Sequence, residues 1–199
     1  MSRFTQGTRR LRLLFASTLG AAAVFPAVAA AGPVTPVPSL DIQQYLGRWQ
    51  QIAAIPQWYE SLCERNVNAN YSLTAEGTVR VINRCSGPGN FPITLEGRAR
   101  ILDQTTKAQL QVTFLKLGTY LFPGSDPNYV VMGLGTGYSW AVVGDPQRTS
   151  GFVLARNSAL TADEKAKVLA VLAANGFDPS KLRTTPQVGG LQVAQPFNQ

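Results

Sequence analysis

The sequence predicts an all-β domain, an eight-stranded antiparallel up-and-down β-barrel, with one C-terminal helix. Three observations carry that prediction. From Trp49 to Arg156 apolar residues recur with a period of two, in short consecutive runs. Gly, Pro, Asn and Asp residues separate the runs at close spacing, which suits antiparallel neighbours and leaves no room for crossover helices. After Arg156 the period changes once, to that of a single amphipathic helix.

The chain has 199 residues, enough for one domain with a sizeable core. Its first part is set aside from the fold. Arg3, Arg9, Arg10 and Arg12 precede an apolar or small-residue run, Leu13 to Val28, and Ala27-Val28-Ala29 or Ala29-Ala30-Ala31 supplies a small-x-small cleavage site. Residues 1–31 are therefore expected to be an export signal. Gly20 and Pro26 interrupt the run, which is short for a membrane span. No cysteine follows it, so no lipid anchor is expected there. Removing the signal lowers the net charge from +7 to +3, which gives little support to nucleic-acid binding. The mature protein is expected to be exported and soluble, either secreted or in the periplasm or cell envelope.

Residues 32–39 hold three prolines and read as an extended lead-in to a domain spanning 40–188. The first strand places Trp49, Gln51, Ala53 and Ile55 on one face. In the second, Val67, Ala69, Tyr71 and Leu73 oppose Asn66, Asn68, Asn70 and Ser72. Ala75-Glu76-Gly77 is a turn, with Gly77 free to take a positive φ. Val79 and Val81 follow, then a Gly-Pro-Gly loop at 87–89. A fourth strand sets Leu95, Gly97, Ala99 and Ile101 against Thr94, Glu96, Arg98 and Arg100; a fifth sets Leu110, Val112 and Phe114 against Gln109, Gln111 and Thr113. A longer connection, 117–128, leads to Tyr129–Met132, then to Tyr138–Val143 and Gly151–Arg156. Thr161-Ala162-Asp163-Glu164 is a capping box opening a helix over about 161–175, with Val168, Leu169 and Leu172 as its stripe and Gly176 as its stop. A short strand is expected near 183–187, and residues 189–199 are expected to be a flexible tail.

Alternation by itself leaves a sandwich and a closed barrel both open. Side-chain sizes favour the barrel. Ala53, Ala69, Gly97 and Ala99 are interleaved on the apolar face with Tyr71, Phe114 and Tyr129, where a packed sandwich would carry Leu, Ile and Val. Small residues opposite aromatics leave space, and eight strands enclose about enough for one small ligand.

Absences narrow the chemistry. There is no histidine, so Ser-His-Asp, Cys-His and His-ligated metal sites are excluded. The two cysteines, Cys63 and Cys85, are too few for a thiolate metal site and read first as a disulfide in an exported chain. No metal or cofactor is expected. Gly133, Gly135 and Gly137 precede a strand and are no nucleotide fingerprint.

At this point the chain resembles the lipocalin family, most of all its bacterial and apolipoprotein-D-like branch. Gly47-Arg48-Trp49 opens the first strand, Tyr138 leads into the seventh and Arg156 ends the eighth. Tyr71-Ser72-Leu73, Val81-Ile82-Asn83, Glu96-Gly97-Arg98-Ala99, Gly176-Phe177-Asp178, Lys181 and Pro186-Gln187 extend the likeness from about Ile42 to Gln187. One departure is Thr136-Gly137, where the family usually has Thr-Asp. The resemblance implies that Gly47, Trp49, Tyr138 and Arg156 form a closed barrel floor, with Arg156 lying across Trp49. It also implies a lipophilic ligand, such as a fatty acid or lysophospholipid, carried for transport, storage or membrane maintenance.

With Trp49 at the floor, loops 56–64, 86–91, 116–127 and 144–151 share the open mouth. A Cys63–Cys85 disulfide would pin the first of them. The expected ligand-binding residues are Gln51, Ala53, Ile55, Trp58, Tyr59, Ala69, Tyr71, Val81, Leu95, Ala99, Leu110, Val112, Phe114, Tyr129, Val131, Trp140, Val142 and Phe152. Contact with membrane lipid is admitted, and oligomeric state is left open. Two other readings compete: a lipocalin-fold enzyme acting on a lipid, and an envelope interaction protein with a vestigial cavity. No catalytic residue is assigned, because no activated nucleophile has a base beside it.

Overall fold

Strands form where β-branched and aromatic residues alternate with polar ones, and the barrel follows from pairing each strand with the next. The computed structural model describes Met1 and residues 32–199; the rest of the expected export signal lies outside the described residues. A one-turn helix α1 (Ile42–Tyr45), capped by the Asp41 carboxylate, precedes β1 (Gly47–Ala54). Then come β2 (Arg65–Leu73), β3 (Val79–Ser86), β4 (Pro92–Ile101) and β5 (Gln109–Thr113). The connection after β5 forms a small ribbon, β6 (Lys116–Leu117) and β7 (Thr119–Tyr120). It returns as β8 (Tyr129–Leu134), β9 (Trp140–Gly144) and β10 (Gly151–Ala155). The barrel order is β1-β2-β3-β4-β5-β8-β9-β10, and β10 pairs back to β1 to close it.

The helix α2 (Ala162–Ala174) has the expected capping box between Thr161 and Glu164. It ends on Gly176 at φ +70, with the Gly176 and Phe177 amides bonded to the Ala173 and Leu172 carbonyls. Val168 and Leu172 are fully buried against the outside of β8 and β9. The helix and its following turn approach closely because the sheet is bare there. A Cβ on Gly133 would meet Val171 at 2.8 Å, and one on Gly144 would run into the Phe177 ring. Gly133 thus belongs to helix packing.

Two apolar clusters result. The inner one fills the barrel floor and includes Trp49, Tyr45, Tyr71, Val131, Val143 and Leu154. The outer one lies between sheet and helix and includes Ile52, Ala53, Val130, Trp140, Val142 and Val153. Register shifts decide which residue goes where. Between Gln51 and Ala53 the pairing of β1 with β10 slips by one residue, a bulge that turns both Ile52 and Ala53 outward. A second shift lies between Val131 and Gly133, and a third between Arg65 and Asn68, where Asn66 has φ +57.

The chain ends depart from expectation. The lead-in 32–39 is docked: the Val37 amide bonds the Val131 carbonyl, and Val34 and Val37 pack on the outer and inner clusters. The predicted short strand is β11 (Arg183–Thr184), paired with the far end of β1. Residues 189–199, expected to be a flexible tail, fold back along it. The Thr184 amide bonds the Gln195 carbonyl and the Phe197 amide bonds that of Leu182, while the Phe197 ring is only 2 % exposed in the outer cluster. Burying that ring offsets the ordering of the tail.

Candidate functional site

Trp49 closes one end of the barrel. Its ring is fully buried, and its indole N–H donates to the Tyr45 carbonyl at 2.8 Å. The Arg156 guanidinium lies 3.7 Å from the ring centroid, a cation–π distance. The same guanidinium donates to the Arg48 carbonyl at 2.8 Å and the Gln44 carbonyl at 2.7 Å, tying β10 to β1 and to the end of α1. Gly47 sits at φ +86 with its missing Cβ facing that guanidinium, which explains a glycine two residues before the tryptophan. Tyr138, also at positive φ, accepts the Asp41 amide at 2.9 Å and holds α1 across the floor.

Above the floor is a cavity of about 340 Å³, open at the mouth formed by the loops after β1, β3, β5 and β9. Eleven expected residues line it: Gln51, Tyr59, Ala69, Tyr71, Val81, Ala99, Leu110, Val112, Phe114, Tyr129 and Phe152. Seven do not. Ala53, Ile55, Trp140 and Val142 face the outer cluster beneath α2. The β1 bulge turns Ala53 away. In β9 every residue from Trp140 to Gly144 is buried, and Ala141 and Val143, not Trp140 and Val142, face inward. Val131 is interior but packed into the floor below the space. Leu95 (42 % exposed) and Trp58 (84 % exposed) stand on the rim. Gly97 makes no room either, because the Phe114 ring occupies the space its side chain would need.

Some lining residues escaped the sequence reading. Ile42, Tyr45 and Leu46 come from α1 and its end, a single turn too short for a periodic signal. Val67, Val79 and Leu154 obey the alternation, on the same faces as Ala69, Val81 and Phe152, and were left off the expected site although the phase included them. Asn68, expected to face outward, lines the cavity because of the irregularity at Asn66. The remaining polar lining, Gln57, Glu60, Asn83, Asn128, Asp145, Thr149 and Ser150, lies toward the mouth loops and upper strand ends.

The electrostatics of the cavity are simple. Among the described residues no lysine or arginine lines it, and the acids that do are Glu60 and Asp145. Burial pushes the Glu60 carboxyl up, against a hydrogen bond from the Gln51 amide that lowers it. The Asp145 carboxylate is occupied by the Thr149 hydroxyl and the Ser150 amide. Deep in the cavity the Tyr129 hydroxyl lies 2.7 Å from that of Tyr45 and 3.1 Å from that of Tyr71. Burial pushes Tyr71 up to about 12 and raises Tyr45 and Tyr129 as well, so all three stay neutral. At the mouth, Cys63 and Cys85 form the expected disulfide, with Cα atoms 5.5 Å apart. It joins the loop carrying Trp58 and Tyr59 to the end of β3.

The comparisons agree with this geometry. Residues 40–187 match the family model described as a lipocalin-like domain. The outer membrane lipoprotein Blc of Escherichia coli is 34 % identical over 188 residues, covering 91 % of this chain and 99 % of the relative. Apolipoprotein D of Mus musculus is 30 % identical over 153 residues, covering 75 % and 78 % of the two chains. Among solved structures, insecticyanin from the tobacco hornworm Manduca sexta superposes with a TM-score of 0.62 at 18 % identity, over 84 % of this chain and 95 % of that one. The family match, the Gly47-Trp49-Arg156 floor and the closed eight-stranded barrel lead to one conclusion: the chain belongs to the lipocalin family.

Proposed function

We propose that this lipocalin holds one lipophilic small molecule, such as a fatty acid, a lysophospholipid or a similar amphiphile, in its barrel for transport, storage or membrane maintenance. The observation that carries the reading is the cavity of about 340 Å³, walled by Val79, Val81, Ala99, Leu110, Val112 and Phe152 and open at one end. That volume is within the range of small-ligand pockets, about 300–1,000 Å³. Its size weighs against a vestigial cavity. Histidine- and cysteine-based catalysis have no residues to work with: the chain has no histidine, and its two cysteines are bonded to each other.

The chain is exported on this reading, as the name of its Escherichia coli relative, an outer membrane lipoprotein, supports. Trp58, Leu62, Phe91, Leu115 and Leu117 are exposed around the mouth, an apolar rim suited to taking a ligand from a lipid surface. The test is native mass spectrometry of the exported protein with organic extraction, followed by titration with fatty-acid and lysolipid probes. A bound or titrating lipid at one per barrel is expected. A barrel that purifies empty, with tryptophan fluorescence unmoved by every probe, overturns the reading.

A further inference from the structure

We infer that the deep end of the cavity is a hydrogen-bonding socket for a neutral oxygen acceptor, so that the preferred ligand is an apolar molecule entering with a ketone, aldehyde, ester or hydroxyl oxygen first. This rests on the binding function proposed above and adds the chemistry of the leading end.

The socket is built from three elements. Tyr45 comes from α1, Tyr71 from β2 and Tyr129 from β8, and all three line the cavity. Their rings hold one another in place: Tyr45 and Tyr71 stack with centroids 5.7 Å apart, and Tyr71 meets Tyr129 edge-on at 6.4 Å. Tyr45 in turn lies against Trp49 at 5.0 Å, so the hydroxyls sit on the floor and not at the rim. Three hydroxyls bring three hydrogens, and the two contacts among them use two. Whichever way the chain of bonds runs, one O–H remains, with no other acceptor among the described residues. Tyr45 and Tyr71 are 5 % and 8 % exposed and Tyr129 is half-buried, so this donor is withdrawn from bulk solvent at the bottom of an apolar space.

A ligand that enters with a methyl group leading leaves that hydrogen unpaired, at the cost of burying an unsatisfied donor. A leading carbonyl or hydroxyl oxygen accepts it. A carboxylate does not fit equally well. Among the described residues no cation lines the cavity, and the Arg156 guanidinium lies beyond Trp49 with bonds to two backbone carbonyls. An anion at the floor would lose its water and gain only the field of Arg156, which reaches Tyr45 and Tyr71 from a distance and offers no direct ion pair. The raised tyrosines do not ionise in exchange; they remain donors.

The experiment is competition against bound N-phenylnaphthylamine by methyl nonyl ketone, undecane and undecanoate. It compares the wild type with a variant carrying Tyr45→Phe, Tyr71→Phe and Tyr129→Phe together, which keeps the rings and deletes the donors. Undecane is the internal reference for any change in packing. The ketone should weaken about tenfold relative to undecane in the variant, the worth of one hydrogen bond in a site of this kind. Undecanoate, entering tail first, should stay within about twofold of undecane's change. A ketone that tracks undecane, or an undecanoate that falls with the ketone, overturns the socket. If none of the three displaces the probe from the wild type, the binding function fails and the socket with it.

A second measurement needs no variant. The infrared carbonyl band of isotope-labelled ketone should move to lower frequency on binding to the wild type. A band left at its apolar-solvent position overturns the inference even where the triple variant fails to fold.

Discussion

The side-chain nitrogen of Gln187 donates to the backbone carbonyl of Gln51 at 2.9 Å. The same nitrogen donates to the Val67 carbonyl at 2.8 Å, so one carboxamide bridges β1 and β2 where their ladder has ended at Gln50 and Asn68. The gap is otherwise filled by the segment after β11: the Thr185 amide bonds the Ile52 carbonyl, and the Asn66 amide bonds the Pro186 carbonyl. The C-terminal strand therefore completes the barrel wall beside the cavity.

Gln187 is 3 % exposed, so replacing it strands two buried carbonyls. Gln187→Leu, close to it in volume, should lower the urea unfolding free energy by about 3 kcal/mol with an unchanged m-value. Gln187→Glu should be worse, since a carboxylate has no donor to offer two carbonyls. Wild-type stability in the leucine variant would show that the bridge contributes nothing.

What the sequence made legible, and what it hid, follows from the same physics. Strands with one polar face, such as β2 with Val67, Ala69 and Tyr71 inward, could be phased by eye. β9 could not: Trp-Ala-Val-Val-Gly is buried on both faces, so its apolar run carries no alternation to phase. The bulge at Ile52–Ala53 leaves no mark in composition, yet it moved Ala53 and Ile55 out of the candidate site. The tyrosine socket was half visible, because Tyr71 and Tyr129 lie on strands while Tyr45 lies on a single helical turn. Phe197 was hidden for another reason. A lone aromatic among Gln, Pro and Asn has no periodic neighbours, and its partner surface is created by α2 and Leu182.

Phe197 supplies the second prediction. Its ring is buried in the outer cluster beneath the Lys165 ammonium, which lies 5.5 Å from its centroid. Phe197→Ala should cost about 3–5 kcal/mol. At roughly 2–4 °C per kcal/mol for a domain of this size, calorimetry should show the melting temperature falling by about 10 °C. Ending the chain after residue 188 should lower it at least as far. A melting curve unchanged by either alteration would mean that the tail adds no stability.

The Cys63–Cys85 bridge closes a loop with a sequence separation of 22 residues. In the chain-entropy account a loop of that size stabilises the fold by about 3 kcal/mol. Cys63→Ser with Cys85→Ser should therefore melt lower than the wild type and be insensitive to dithiothreitol, while the wild type falls toward the variant when reduced. Because the bridge holds the loop of Trp58 and Tyr59 at the mouth, the variant should also release bound probe faster in stopped-flow displacement. Equal melting and equal release would remove both roles.

Glu96 gives the pH dependence. On the outside of β4 its carboxylate accepts from Arg80 on β3 and from Arg98 on its own strand, and Arg98 lies 4.7 Å over the Tyr120 ring. Hydrogen bonds from Arg80, then Arg98, lower the Glu96 carboxyl to about 2 from its ordinary 4.5. A depressed carboxyl contributes stability that is fully present above the unfolded value and is lost as pH falls through the folded one. The window is therefore about pH 4.5 down to about pH 2. Glu60 acts in the opposite sense, since burial raises its carboxyl and favours the fold at lower pH. Asp41, Asp103, Asp178 and Glu164 are lowered by their own hydrogen bonds, so the acid limb is shared. Glu96→Gln should accordingly flatten, not abolish, the fall of unfolding free energy across that window, reducing proton uptake on unfolding by up to about one. Urea titrations at closely spaced pH values measure that slope, and identical slopes in the two proteins would show that the Arg80–Glu96–Arg98 cluster does not couple to folding.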